Sequence, residues 1–211
     1  MNICALIPAY NEEKTVSHVV TITKSLPEIK RVIVINDGSD DETAKVARMA
    51  GAEVIDLKKN SGKGAALKAG FDECNAEIVI MLDADLIGLK KEHIYSLVNP
   101  IINNEYDMTV GIFNEGRNIT DIGQKISPHL SGQRALKGEI LNKIQNLDNT
   151  GYGVEVIINR YVKKHGQIKK VRLPDLTHVI KEEKRGFWQG LKSRIKMYKE
   201  VLKAVFFFFL D

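Results

Sequence analysis

The chain has 211 residues and a mass of 23.7 kDa, enough for one α/β domain with a sizeable core or two very small ones. At 44% hydrophobic and 27% charged it sits near the globular average, which excludes a disordered or fibrous chain, and no apolar run reaches the ~18 residues of a membrane-spanning helix. The net charge of +4 is concentrated in residues 181–203, where eight Lys or Arg stand against three Glu, so the basic balance is no sign of a nucleic-acid partner.

Short β-rich apolar runs predict strands at Ile3–Ile7, Arg31–Ile35, Glu53–Asp56, Ile78–Leu82 and Met108–Ile112. Between them, 3.6-residue periodicity predicts helices near 12–25, 40–50, 63–75 and 91–103. Asn11 ahead of Glu12 and Glu13, and the capping-box spacing from Ser39 to Glu42, are expected to start the first two helices. Residues 113–139, rich in Gly, Asn, Ser and Thr, read as a long surface excursion with a short helix, expected to act as a lid. A helix near 153–165, strands near 168–173 and 176–180, and a long amphipathic helix from about 184 complete the chain. The alternation predicts an α/β fold with a mostly parallel central sheet, helices on both faces, and one domain over 1–211. Two cysteines, Cys4 and Cys74, are too few for a disulfide framework or zinc cluster, and the opening residues pass straight into a strand with no signal-peptide pattern. These features lead to the expectation of a cytoplasmic protein.

In an open α/β sheet ligands bind beyond the carboxyl ends of the strands. Those places hold Pro8-Ala9-Tyr10-Asn11-Glu12-Glu13, Asn36-Asp37-Gly38-Ser39, Asn60-Ser61-Gly62-Lys63-Gly64 and Asp83-Ala84-Asp85. The Asp83/Asp85 pair at the mouth of a buried strand suits a hard cation such as Mg²⁺ or Mn²⁺, which relieves the repulsion between the two acids. Taken alone, an Asp-x-Asp also reads as a solvated strand-end turn. Gly62-Lys63-Gly64 at a helix start lets a phosphate approach the backbone beside a positive charge, or is a flexible loop with a solvated lysine. Asp37 suits a base or ribose edge as well as a capped turn. Neither a P-loop nor a Gly-x-Gly-x-x-Gly dinucleotide fingerprint is present.

These four strings, in this order and spacing, resemble family 2 glycosyltransferases over about residues 3–112. The resemblance implies the GT-A nucleotide-sugar fold and a divalent cation, Mg²⁺ or Mn²⁺. It places Pro8, Ala9, Tyr10, Glu12, Asp37 and Ser39 around the nucleoside, Lys63 at the diphosphate, Asp83 with Ala84 on the nucleotide side of the metal, and Asp85 on the cation. The second half, through Ser131-Gly132-Gln133-Arg134-Ala135 and Gly151-Tyr152-Gly153-Val154-Glu155, resembles the soluble group that includes glucosyl-3-phosphoglycerate synthases, while the first half is equally similar to dolichol-phosphate sugar synthases. By that likeness His178 is a third metal or diphosphate ligand, and Ser131, Gly132, Arg134, Gly151, Tyr152 and Gly153 contact the acceptor. Glu155 is expected to take the acceptor proton or to hold the acceptor, although a glutamate stabilised at a helix N-terminus fits the same position.

The expected reaction moves a sugar from a nucleotide-diphosphate donor, UDP-glucose or a relative, to a hydroxyl or phosphate acceptor, either a small molecule or a polyprenyl phosphate lipid. A non-catalytic nucleotide-sugar-binding regulator and a sugar nucleotidyltransferase are the alternatives. No Gln-x-x-Arg-Trp motif appears, which disfavours a processive polysaccharide synthase. The heptad spacing of Trp188, Leu191, Ile195, Tyr198, Leu202, Val205 and Phe209, with Lys192, Arg194, Lys196, Lys199 and Lys203 between, predicts a basic amphipathic helix. It suits contact with the inner membrane face or with a second copy of the chain.

Overall fold

The computed structural model describes residues 1–113, 131–144 and 153–178. The elements in chain order are β1 (Ile3–Ala9), α1 (Val16–Lys24), β2 (Ile29–Asn36), α2 (Thr43–Met49), β3 (Glu53–Asp56), α3 (Lys63–Glu73), β4 (Ile78–Met81) and β5 (Leu86–Ile87). They continue with α4 (Lys91–Ile102), β6 (Met108–Phe113), β7 (Arg134–Lys137), the single turn α5 (Gly138–Leu141), α6 (Val154–His165), β8 (Ile168–Leu173) and β9 (Thr177–His178). Every strand predicted from the first half is present, and the third matches at both ends. Residues 114–130 of the lid expected over 113–139, together with Gly151, Tyr152 and the C-terminal helix, lie outside the described residues.

Seven strands form one sheet in the order β3-β2-β1-β4-β7-β6-β8, and β5 pairs with β9 in a small antiparallel ribbon. All neighbours in the large sheet are parallel except those of β7, which runs antiparallel to both β4 and β6. Strand β7 corrects the expectation of a surface excursion over 113–139. Residues Arg134–Leu136 are buried in the middle of the sheet, because β4 and β6 otherwise leave an unpaired edge between them.

Alternation along the strands builds two cores. Ile3, Ala5, Ile7 and Ala9 of β1 join Val32 and Val34 of β2 and Ile78 and Ile80 of β4 on one face, covered by α1 and α4. Cys4 and Leu6, Ile33 and Ile35, and Val79 and Met81 point to the other face, under α3 and α6. Burial of each large side chain contributes roughly 1.5–3 kcal/mol. Helix α3 can sit close to the sheet because Gly70 has no Cβ, which would come 2.8 Å from Ile35 Cδ1. Both cysteines are free thiols.

Two helix starts differ from expectation. Helix α1 begins at Val16 after Thr15, and α2 at Thr43 after Glu42. Ser39 does not cap α2. Its hydroxyl accepts the Asn11 N–H at 3.0 Å, and the Asn11 side-chain oxygen accepts the Asp40 N–H at 2.9 Å. Thr43 Oγ1 accepts the Glu12 N–H at 2.7 Å, and Glu13 accepts the Glu42 N–H at 3.1 Å. The loops after β1 and β2 have stitched to each other, with Asn11 in the left-handed region at φ 56°.

Candidate active site at the β1–β4 crevice

The chain leaves β1 toward β2 on one side and returns to β4 on the other, so the crevice between the ends of β1 and β4 is a topological switch point. Pro8 and Ala9 close β1 with Tyr10 just beyond it, and Asp83, Ala84 and Asp85 follow β4. Glu12, Asp37 and Ser39 stand on the neighbouring loops.

Asp37 is 4% exposed, and its two oxygens accept the Ser61 and Gly62 N–H groups at 2.7 and 2.9 Å. It fastens the loop that starts α3, where Gly62 adopts φ 92° and Lys63 is the first helical residue. The Lys63 ammonium lies 2.6 Å from both Asp83 Oδ1 and Glu155 Oε1. Burial works against its charge, but the two carboxylates outweigh it and raise the lysine above its ordinary value. Burial likewise opposes the Asp83 charge. Lys63, His178 and the Gln133 amide overcome it and hold Asp83 well below the usual carboxylate range.

The β5–β9 ribbon pairs Leu86 with His178 and so brings His178 Nδ1 to 3.0 Å from Asp85 Oδ1. Burial pulls the imidazolium down, but the Asp85 hydrogen bond and the Asp83 and Asp85 charges raise it overall. The Phe113 ring meets His178 edge-on, with centroids 4.8 Å apart. Ligand atoms of Asp83, Asp85 and His178 all lie within 4.8 Å of one another. Two carboxylates and one imidazole make a donor set that fits Mg²⁺ or Mn²⁺, the nitrogen favouring Mn²⁺.

The second-half residues divide. Ser131 and Gly132 are buried beside Asp83, where a Cβ on Gly132 would lie 2.3 Å from its Oδ2. Arg134 is wholly buried, and its guanidinium donates to Ser131 O, Glu155 O and Asn159 Oδ1. Gly153 is the residue before α6, and Glu155, 3% exposed, faces Lys63 from the first turn of that helix. Gln133 was not foreseen: its Nε2 donates to Asp83 Oδ2 at 2.8 Å. The motif around it was visible, but a neutral amide carries no charge signal.

Residues 4–159 match the family described as Glycosyl transferase family 2. The chain belongs to this family. It is a glycosyltransferase with a GT-A-like α/β fold and a mostly parallel central sheet. Protein RfbJ of Shigella flexneri is 35% identical over 112 residues, covering 52% of this chain and 84% of that one. The 4,4'-diaponeurosporenoate glycosyltransferase of Staphylococcus aureus (strain USA300) is 39% identical over 101 residues, 44% of this chain and 26% of that protein. The match therefore spans about a quarter of that relative's length. Glucosyl-3-phosphoglycerate synthase from Mycobacterium tuberculosis, solved with Mn²⁺, UDP and glucosyl-3-phosphoglycerate, superposes with a TM-score of 0.79 at 25% identity, over 97% of this chain and 78% of that one. The same synthase has been solved with Mg²⁺ and UDP. Among the described residues no helix is long and apolar enough to cross a membrane.

Proposed function

We propose that this glycosyltransferase takes a UDP-linked sugar, UDP-glucose or a relative, and passes the sugar to a hydroxyl or phosphate acceptor with a divalent cation bound. The observation that carries the reading is the convergence of Asp83, Asp85 and His178 beside the buried Lys63 at the switch point. The synthase solved with Mn²⁺ and UDP-glucose supports the donor class. Asp83, Asp85 and His178 would hold Mg²⁺ or Mn²⁺, which supplies positive charge against the leaving diphosphate.

The chain's own residues account for the rest of the chemistry. Lys63 sets a fixed ammonium beside that charge, preorganised by Asp83 and Glu155 so that little reorganisation is needed as the glycosidic bond breaks. Asp37 holds the Ser61–Gly62 backbone, and with it the start of α3, in place for the diphosphate. Pro8, Ala9, Tyr10, Glu12 and Ser39 line the nucleoside side, on loops stiffened by their mutual hydrogen bonds. Glu155 reaches the reaction through Lys63, and the buried Arg134 ties Ser131 to α6 on the acceptor side.

The acceptor is a small hydroxyl or phosphate compound or a polyprenyl phosphate lipid, and the basic C-terminal segment is a membrane or dimer contact at the cytoplasmic face. Vesicle sedimentation and solution mass measurement separate the two contacts. A donor screen with detection of released nucleotide, run with and without EDTA, tests the activity. EDTA-sensitive release from a UDP-sugar, lost in Asp85→Ala, is expected. UDP binding with no turnover for any acceptor would favour a regulator instead.

A further inference from the structure

The residues that enter β7 do more than complete the sheet. The β4–β7 pairing sets Met81 opposite Arg134, and continuing that antiparallel register places Leu82 opposite Gln133 and Asp83 opposite Gly132. The strand therefore runs directly against the carboxylate that leaves β4. A Cβ at residue 132 would come 2.3 and 2.4 Å from the two Asp83 oxygens, so only glycine lets the backbone lie this close.

Gln133 is wholly buried and held at both ends. Its carbonyl accepts the Gly111 N–H of β6 at 2.8 Å, and its side-chain Oε1 accepts the Ser131 hydroxyl at 3.1 Å. The amide NH₂ must face Asp83, because an ionised carboxylate accepts hydrogen bonds and cannot donate them. Asp83 then carries one charged donor on Oδ1, from Lys63, and one neutral donor on Oδ2, from Gln133. A second cation in place of the amide would cancel the charge that a metal requires. A neutral amide fixes the carboxylate plane and leaves that charge in place.

The geometry points to Gln133 as a positioning residue that turns Asp83 so that its remaining lone pairs face Asp85 and His178, with Ser131 preventing the amide from rotating. This role rests on the proposed divalent-cation site. Partners that orient metal ligands are worth about 10–100-fold in metal affinity.

The test is Mn²⁺ titration of the full chain, followed by electron paramagnetic resonance, with and without saturating UDP. Gln133→Met keeps the length of the side chain and removes both polar ends. Its Mn²⁺ affinity should fall by about tenfold or more. Ser131→Ala, which retains the amide but frees it to turn, should lose less, in the same direction. Leu136→Ala, further along β7, should lower the thermal midpoint while leaving Mn²⁺ affinity unchanged, a separation that a merely structural role for β7 does not produce. Wild-type Mn²⁺ affinity in folded Gln133→Met overturns the role, and if that variant does not fold, wild-type affinity in Ser131→Ala overturns it. A wild-type chain that binds no Mn²⁺, with UDP or without it, overturns the metal site itself and the positioning role with it.

Discussion

Replacing Lys63 with Met keeps an unbranched side chain and removes the ammonium shared by Asp83 and Glu155. Both contacts measure 2.6 Å, and the three side chains are 16%, 20% and 4% exposed. At an effective dielectric near 20, attraction at that separation is about 6 kcal/mol per contact before desolvation offsets much of it. Removing one member of a buried ion group costs about 3–5 kcal/mol, because its partners stay buried and unpaired. Asp83 keeps its Gln133 donor, so Lys63→Met belongs at the lower end, about 3 kcal/mol. For a chain of this size that lowers the thermal midpoint by about 6–12 °C. The pH dependence follows from the two shifts. The raised lysine contributes stability that is complete below its unfolded value and lost only as pH rises through its folded one. The depressed Asp83 contributes above its unfolded value and loses that contribution as pH falls through its folded one. The wild-type advantage is therefore largest between the carboxylate and lysine ranges, roughly pH 5 to 10, and narrows in acid as Asp83 of the variant takes up a proton. Calorimetry in EDTA across that range reads both effects. A neutral-pH midpoint within about 2 °C of wild type, or a gap that stays constant into acid, refutes the argument.

Asp85→Asn should abolish EDTA-sensitive nucleotide release while leaving the metal-free thermal midpoint close to wild type; retained turnover would remove Asp85 from the site. Gly132→Ala forces a methyl against a carboxylate pinned by Lys63 and Gln133, so a stability loss of about 1–3 kcal/mol should accompany a fall in kcat, read by denaturant titration and turnover. Asp107 accepts the Lys137 ammonium and the Gln167 N–H, both at 2.8 Å, and these hold its carboxyl below the ordinary value. Asp107→Asn should cost about 1 kcal/mol at neutral pH, and the difference from wild type should vanish as pH falls through the depressed wild-type value, measured by urea unfolding at several pH values.

The parallel half of the sheet was legible because both of its faces are covered. Ile78-Val79-Ile80-Met81 is buried throughout, and a short apolar run bounded by acids has few other readings. Asp83, Asp85 and Lys63 were legible only together, because each alone also reads as a solvated group and it is the run of acids, glycines and a lysine at four successive strand ends that marks a site. His178 was reached only through the family likeness. The two-residue strands that carry it to Asp85 are too short to leave a periodic signal, and their pairing joins segments some ninety residues apart.

Strand β7 and Gln133 escaped for physical reasons that belong together. Arg134-Ala135-Leu136-Lys137 is four residues long, has charges at both ends and adjoins a helical turn, so its local preference is indeterminate. Its burial is imposed from outside, by the gap between β4 and β6, and Arg134 is tolerated in the interior because the Ser131 and Glu155 carbonyls and Asn159 Oδ1 accept hydrogen bonds from its two terminal nitrogens, although its Nε stays buried without a partner. The same insertion delivers a neutral amide to a carboxylate fifty residues earlier in the chain. Side chains that carry charge declare a site locally. The uncharged donor that orients such a charge acquires its meaning only from the strand pairing that sets it there.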